Sequence, residues 1–165
     1  MPQIPGRRVL GERLGGYIYG TIVVLATVVA GAEAYRNGAG HIGLLVVMTT
    51  VVFWIAHVYA HAVAHSVSAG QRISGHELLQ IARRESSIIE AAVLPVLVLL
   101  LGKLDVISVH TAVWLAIGCG LAVLVAQGIR YSRAVGSGPL ATLTIAGANL
   151  AMGLLIVAMK LIVSH

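Results

Sequence analysis

Charge is the scarcest resource in this 165-residue chain: Asp, Glu, Lys and Arg make up 10% of it, against roughly 25% in an ordinary globular protein. A water-soluble domain of this size needs more polar surface than these residues supply, so the soluble globular class is excluded. Cysteine is almost absent. Cys119 stands alone, which rules out an intrachain disulfide, and within its apolar run it reads as a small packing residue. Recognisable catalytic signatures are missing as well. There is no Ser/His/Asp set, P-loop or dinucleotide fingerprint, and Gly15-Gly16 lacks the strand-to-helix context a phosphate cradle needs. Neither an enzyme nor a cofactor is therefore the reading.

What the chain has is apolar length. Hydrophobic residues make up 58%, gathered into stretches at about 17–34, 42–64, 86–104, 106–129 and 140–163. A helix needs about 20 mostly apolar residues to cross a hydrocarbon core about 30 Å thick. The expectation is an all-α, polytopic transmembrane helix bundle of five spans in one membrane domain. The first stretch is read as a span rather than a secretory signal, because further membrane segments follow it. The third is the shortest, uninterrupted only from Ile88 to Leu101, and reaches spanning length if its helix starts near Ser86. It also holds Pro95, which is tolerated in membranes where neighbours satisfy the freed carbonyl.

The net charge of +5 does not imply nucleic acid. The basic residues sit in short runs between apolar segments, where lipid headgroups are the natural partner. Their placement tests the span count. Arg7, Arg8, Arg13, Arg72, Arg83, Arg84, Arg130 and Arg133 fall on one side of a five-span chain, and Arg36, Lys103 and Lys160 on the other. By the positive-inside rule the first group, and with it the N-terminus, faces the cytoplasm of a multi-pass cell-membrane protein. A four-span chain without the third segment alternates less cleanly.

The longest loop, 66–87, contains Ser74-Gly-His-Glu77, the spacing of a capping box. Leu78, Leu79 and Ala82 are apolar on one side and Arg83, Arg84 and Glu85 are polar. This predicts a short surface helix running into the third span. Small residues four apart, namely Gly16 and Gly20, Ala112, Ala116 and Gly120, and Gly147 and Ala151, predict close helix packing within or between copies of the chain. Gln127 and Asn149 are read as interhelical hydrogen-bonding groups.

The second span carries His57, His61 and His65, four residues apart and so on one face of a helix. Ionisable groups in a bilayer are costly and usually face protein or water. Three readings stand side by side: hydrogen-bonded glue between helices, proton or ion handling, and metal or haem ligation. No carboxylate or cysteine joins the stripe in sequence. Glu90, near the start of the third span, lies at the depth of His61 and His65; it is expected to pair with one of them or, as the plainer choice, with Arg83 or Arg84.

Arg13-Leu-Gly-Gly-Tyr17-Ile18-Tyr19-Gly20 and Ala26-Thr27-Val28 in the first span, with Phe53-Trp54-Ile-Ala-His57 in the second, resemble the bacterial relatives of the lysosomal potassium channel. The resemblance covers under half of the chain. Ile18-Tyr19 stands where that family carries Ser-Asp, and five spans stand against its six per repeat. The resemblance implies a homo-oligomeric channel for monovalent cations. Arg13 would anchor the first helix, Val24, Thr27 and Val28 would face the pore, and His57 would sit behind them. An apolar constriction of that kind gates by dewetting. Two alternatives remain: a metal- or haem-binding membrane protein using His57, His61 and His65, and a non-transporting accessory protein whose surface helix at Leu78–Arg84 docks a partner.

Overall fold

A computed structural model describes residues 5–35 and 38–163. Arg36 lies outside them, and so do the side chains of Arg7, Arg8 and Lys160. The described residues form six helices: α1 Pro5–Ala34, α2 Ala39–Ala69, α3 Gly75–Arg84, α4 Ser86–Lys103, α5 Val109–Val135 and α6 Pro139–Val163. Five of them, all but α3, are long and apolar enough to cross a membrane. The fold is the all-α bundle expected, and the chain is a multi-pass membrane protein.

The helix ends follow from local chemistry. Ser108 caps α5 by accepting the Thr111 amide at 3.1 Å, so Val106 and Ile107 fall in the turn and the fourth span starts later than 106. Before that turn Asp105 takes a left-handed φ of 58°. The next amide, of Val106, donates back to the Leu101 carbonyl at 3.1 Å, which closes the end of α4 in a Schellman motif. The third span does begin at Ser86 and runs through the fully buried Pro95 as one helix. The predicted capping box is present. Ser74 Oγ accepts from the Glu77 amide at 3.3 Å and the Glu77 carboxylate accepts from the Ser74 amide at 2.8 Å.

Helices α2, α4, α5 and α6 stand side by side in that order, and α1 packs against all four. In hydrocarbon, apolar contact alone drives no association, because lipid tails are as apolar as leucine. Close packing has to hold the helices together. Small residues permit it here. A Cβ on Gly20 would stand 2.8 Å from the Ile88 carbonyl oxygen, and one on Gly128 would stand 2.9 Å from Ala146 Cα. The α1–α4 and α5–α6 backbones therefore touch where the glycines sit. Ala112, Ala116 and Gly120 are likewise buried, with Leu25 seated over Gly120. Gly147 meets nothing within 4 Å and Ala151 is exposed. Most of the small-residue spacing thus serves packing inside one chain. Around it lies a core of Val24, Leu25, Val28, Ile42, Val46, Leu99, Ile117 and Leu124.

Candidate functional site

Polar side chains collect at one end of the bundle, where the start of α1, the last turns of α2 and the α3–α4 joint meet. Glu85 is that joint. It closes α3 by donating its amide to the Ile81 carbonyl at 3.0 Å, and its own carbonyl accepts from the Ile88 amide at 3.1 Å. A single residue between two helices leaves its side chain little freedom of direction. Its carboxylate is held 2.7 Å from Nδ1 of His61, with Glu85 largely buried (12% exposed) and His61 more open (56%). A proton must lie between the two atoms at that distance. An imidazole N–H can supply it whether the ring is charged or neutral.

His57, one turn deeper, joins an aromatic group instead. Its ring lies 5.2 Å from Tyr19 of α1 and 4.9 Å from Phe53, with the ring of His61 6.1 Å away edge-on. Trp54 Nε1 donates to the Ala82 carbonyl at 3.1 Å and ties α2 to α3. His65 is exposed, a turn beyond His61. Outside the spans, Glu77 has its pKa lowered from the usual 4.5. The Ser74 amide and then the Ser74 hydroxyl stabilise the carboxylate, and nearby His65 and His76 add to the effect.

Two expectations are corrected by this geometry. Glu90 pairs with neither Arg83, Arg84 nor a histidine. Both of its oxygens accept from Arg13 across the α1–α4 contact at 3.3 Å, and Ser86 Oγ donates to it at 2.9 Å. The reason is register: Glu90 lies more than a turn into α4, on the side that faces α1, while Glu85 at the joint faces α2. The carboxylate that meets the histidine stripe is therefore Glu85, which the sequence had placed only on the polar side of the surface helix.

The second correction concerns the residues expected to face a pore. Val24 and Val28 have no exposed surface and belong to the core of a single chain. Thr27 is half-buried and its hydroxyl donates to the Val23 carbonyl of its own helix at 2.8 Å. His57 lies against Tyr19 with the rings tilted by 47°, and Tyr19 is more than a turn before Val24 on α1. The side of α1 bearing the two valines is turned into its own bundle because α1 is packed by four neighbours. Of the polar pair expected in the last spans, Asn149 Nδ2 donates to the Leu124 carbonyl at 3.2 Å. Gln127 Oε1 is buried without a hydrogen-bond partner among the described residues.

Among the described residues no three His, Cys, Asp or Glu side chains gather so as to hold a metal ion. The histidines run along one helix rather than converging, and His61 is turned to Glu85. At the opposite end of the bundle an open cleft of about 440 Å³ is lined in part by His41, Lys103 and Asp105. No protein-family model, curated protein or solved structure matches this chain.

Proposed function

We propose that this membrane protein works at one face of the bilayer as a proton-responsive, non-permeating accessory protein. Its responsive group is the His61–Glu85 pair and its moving part is α3. The observation that carries the reading is the 2.7 Å contact between a half-open imidazole and a largely buried carboxylate at the single residue joining α3 to α4. Histidine is the side chain whose charge ordinarily changes between pH 5 and 8. With the imidazole charged, the pair is an ion pair that holds α2 against the joint. With it neutral, one hydrogen bond remains and the buried carboxylate loses its counter-charge. The surrounding charges are Arg13 and Glu90 at the α1–α4 contact, His57 and His65 on α2, and Glu77, Arg83 and Arg84 on α3.

Below this polar end the described core is apolar apart from Ser87, Gln127, Ser132 and Asn149, and buried threonines such as Thr21 and Thr50 bond back to their own helices. That supports a switch at one face over a path through the membrane. Cation permeation by a homo-oligomer, which the potassium-channel resemblance implies, would need a wall other than Val24 and Val28. Metal or haem ligation would need the three histidines to leave their present neighbours.

The test is amide exchange of residues 75–90 in the reconstituted protein, corrected for intrinsic rates, across about pH 5 to 8. The wild type should exchange about two- to fivefold faster at the alkaline end, as expected for a half-exposed pair worth about 0.5–1 kcal/mol. His61→Ala and Glu85→Gln should both flatten that step. The same step in all three proteins would overturn the reading. So would protein-dependent cation flux into liposomes.

A further inference from the structure

Helix α3 has two unlike sides. Leu78, Leu79, Ile81 and Ala82 share one side, and His76, Gln80, Arg83 and Arg84 the other. Ile81 and Ala82 are half-buried, and the Ala82 carbonyl holds Trp54 of α2. Leu78 and Leu79 are 40% and 50% exposed. The helix cannot drift far from the bilayer: α2 ends at Ala69, and α4 starts after one intervening residue. Its apolar edge is therefore held at the height where the spans leave the hydrocarbon.

The charge around it is one-sided. Arg72, Arg83 and Arg84 are exposed, and none makes an ion pair with a described residue. Among the described side chains the acids nearby are already engaged: Glu77 by the Ser74 cap, Glu85 by His61, and Glu90 by Arg13 and Ser86. Arg130 and Arg133 are exposed at the same end, at the close of α5. Exposed leucines beside unneutralised arginines, at a fixed height against a bilayer, complement an acidic headgroup layer over acyl chains.

We propose that α3 is a recognition surface for anionic phospholipid, with Leu78 and Leu79 entering the acyl boundary and Arg72, Arg83 and Arg84 binding headgroup phosphates. The arrangement rests on the two sides of α3 and on the engaged acids, and it holds whether or not His61 responds to pH. Each arginine near such a surface contributes roughly fivefold in affinity, and salt screens the effect.

The experiment places the full chain in nanodiscs of phosphatidylcholine alone or of an equimolar mixture with phosphatidylglycerol, and follows amide exchange over 75–84. Phosphatidylglycerol should slow exchange roughly fivefold or more, and added salt should reverse the slowing. Arg83→Gln with Arg84→Gln should remove most of it, and Arg83→Lys with Arg84→Lys should restore it. Leu78→Ser with Leu79→Ser should remove protection in both lipids. These positions are exposed, and an unchanged melting temperature confirms that the bundle is intact. Equal exchange in the two lipids overturns the proposal and leaves α3 to a protein partner. Slowing reproduced in phosphatidylcholine by inorganic phosphate alone also overturns it, since the surface would then be an anion site rather than a bilayer reader.

Discussion

In their 18-residue spanning windows helices α1 and α5 bury 44% of residues inside the protein, and α2 and α6 only 17%, although the mean hydropathies are similar at 1.7, 2.1, 2.0 and 2.0. Hydropathy therefore records what a helix tolerates around it, lipid or protein, and not which of the two it meets. Small residues mark the closest contacts on all four, Gly40 of α2 against Lys103 and Gly153 of α6 against Leu121 included, and they are more frequent on α1 and α5. Contact positions on α1 and α5 are Gly20, Ala112, Ala116, Gly120 and Gly128, and neighbouring backbone or side chains occupy the space a Cβ would need at the glycines. On α2, Gly43 meets only Leu99 at ordinary van der Waals distance. Helix α2 instead carries the ionisable groups, at the end where α3 and α4 partly cover it. One part of the molecule is built by close approach, the other by polar contacts at its margin.

The sharpest way to break this comparison is Val24→Asp. If α1 packs as a core helix, the substitution buries an unpaired carboxylate at about 3–5 kcal/mol. The purified protein should then lose its monodisperse folded peak in mild detergent. A folded Val24→Asp protein with altered cation flux would instead make α1 a pore wall and erase the distinction between the two halves.

A smaller effect is expected from the glycines. Gly20→Ala and Gly128→Ala force backbone apart and should destabilise by about 1–3 kcal/mol. Gly118→Ala and Gly147→Ala meet open space and should be neutral, or stabilising by up to about 1 kcal/mol, since alanine is the better helix former. Thermal melting of the four variants in one detergent measures the contrast. Equal shifts would mean that the close approaches hold nothing together.

The mildest change belongs to the margin. Ser74→Ala removes the α3 cap and should cost about 1 kcal/mol of local helix stability, read as faster amide exchange over 75–84 with the spans unaffected. Because Glu77 has its pKa lowered by that cap, its contribution is complete above the ordinary carboxylate value and is lost as pH falls through the lowered one. Acidification of the wild type should loosen α3 in that window, and Ser74→Ala, which removes the hydroxyl and keeps the amide donor, should weaken the dependence without abolishing it.

Much of the fold could be read without coordinates, for physical reasons that particular residues show. Apolar length set the number of spans, because a bilayer demands it. The Ser74-to-Glu77 spacing announced the start of α3, because capping is a local interaction. The partner of His61 was not legible. Glu85 and Glu90 are the same residue type five positions apart, and the choice between them depends on the helix joint, a tertiary feature. Nor was the setting of Val24 and Val28, since a valine on a membrane helix suits lipid, a dry pore or a packed core equally well. Only the four helices packed around α1 decide it.

Helix α2 runs for 31 residues, about 46 Å at 1.5 Å per residue, well beyond a hydrocarbon layer of about 30 Å. Measured from Ile42, the first fully buried side chain of the core on this helix, such a layer ends near Ala62. His57 then lies inside it, His61 at its edge and His65 outside. The three imidazoles sample a gradient of polarity spaced by about 6 Å per step. A bilayer thicker by one such step would draw His61 and its Glu85 partner inward, and a thinner one would release His57 to water. Membrane thickness would then act on the contact that ties α2 to the α3–α4 joint.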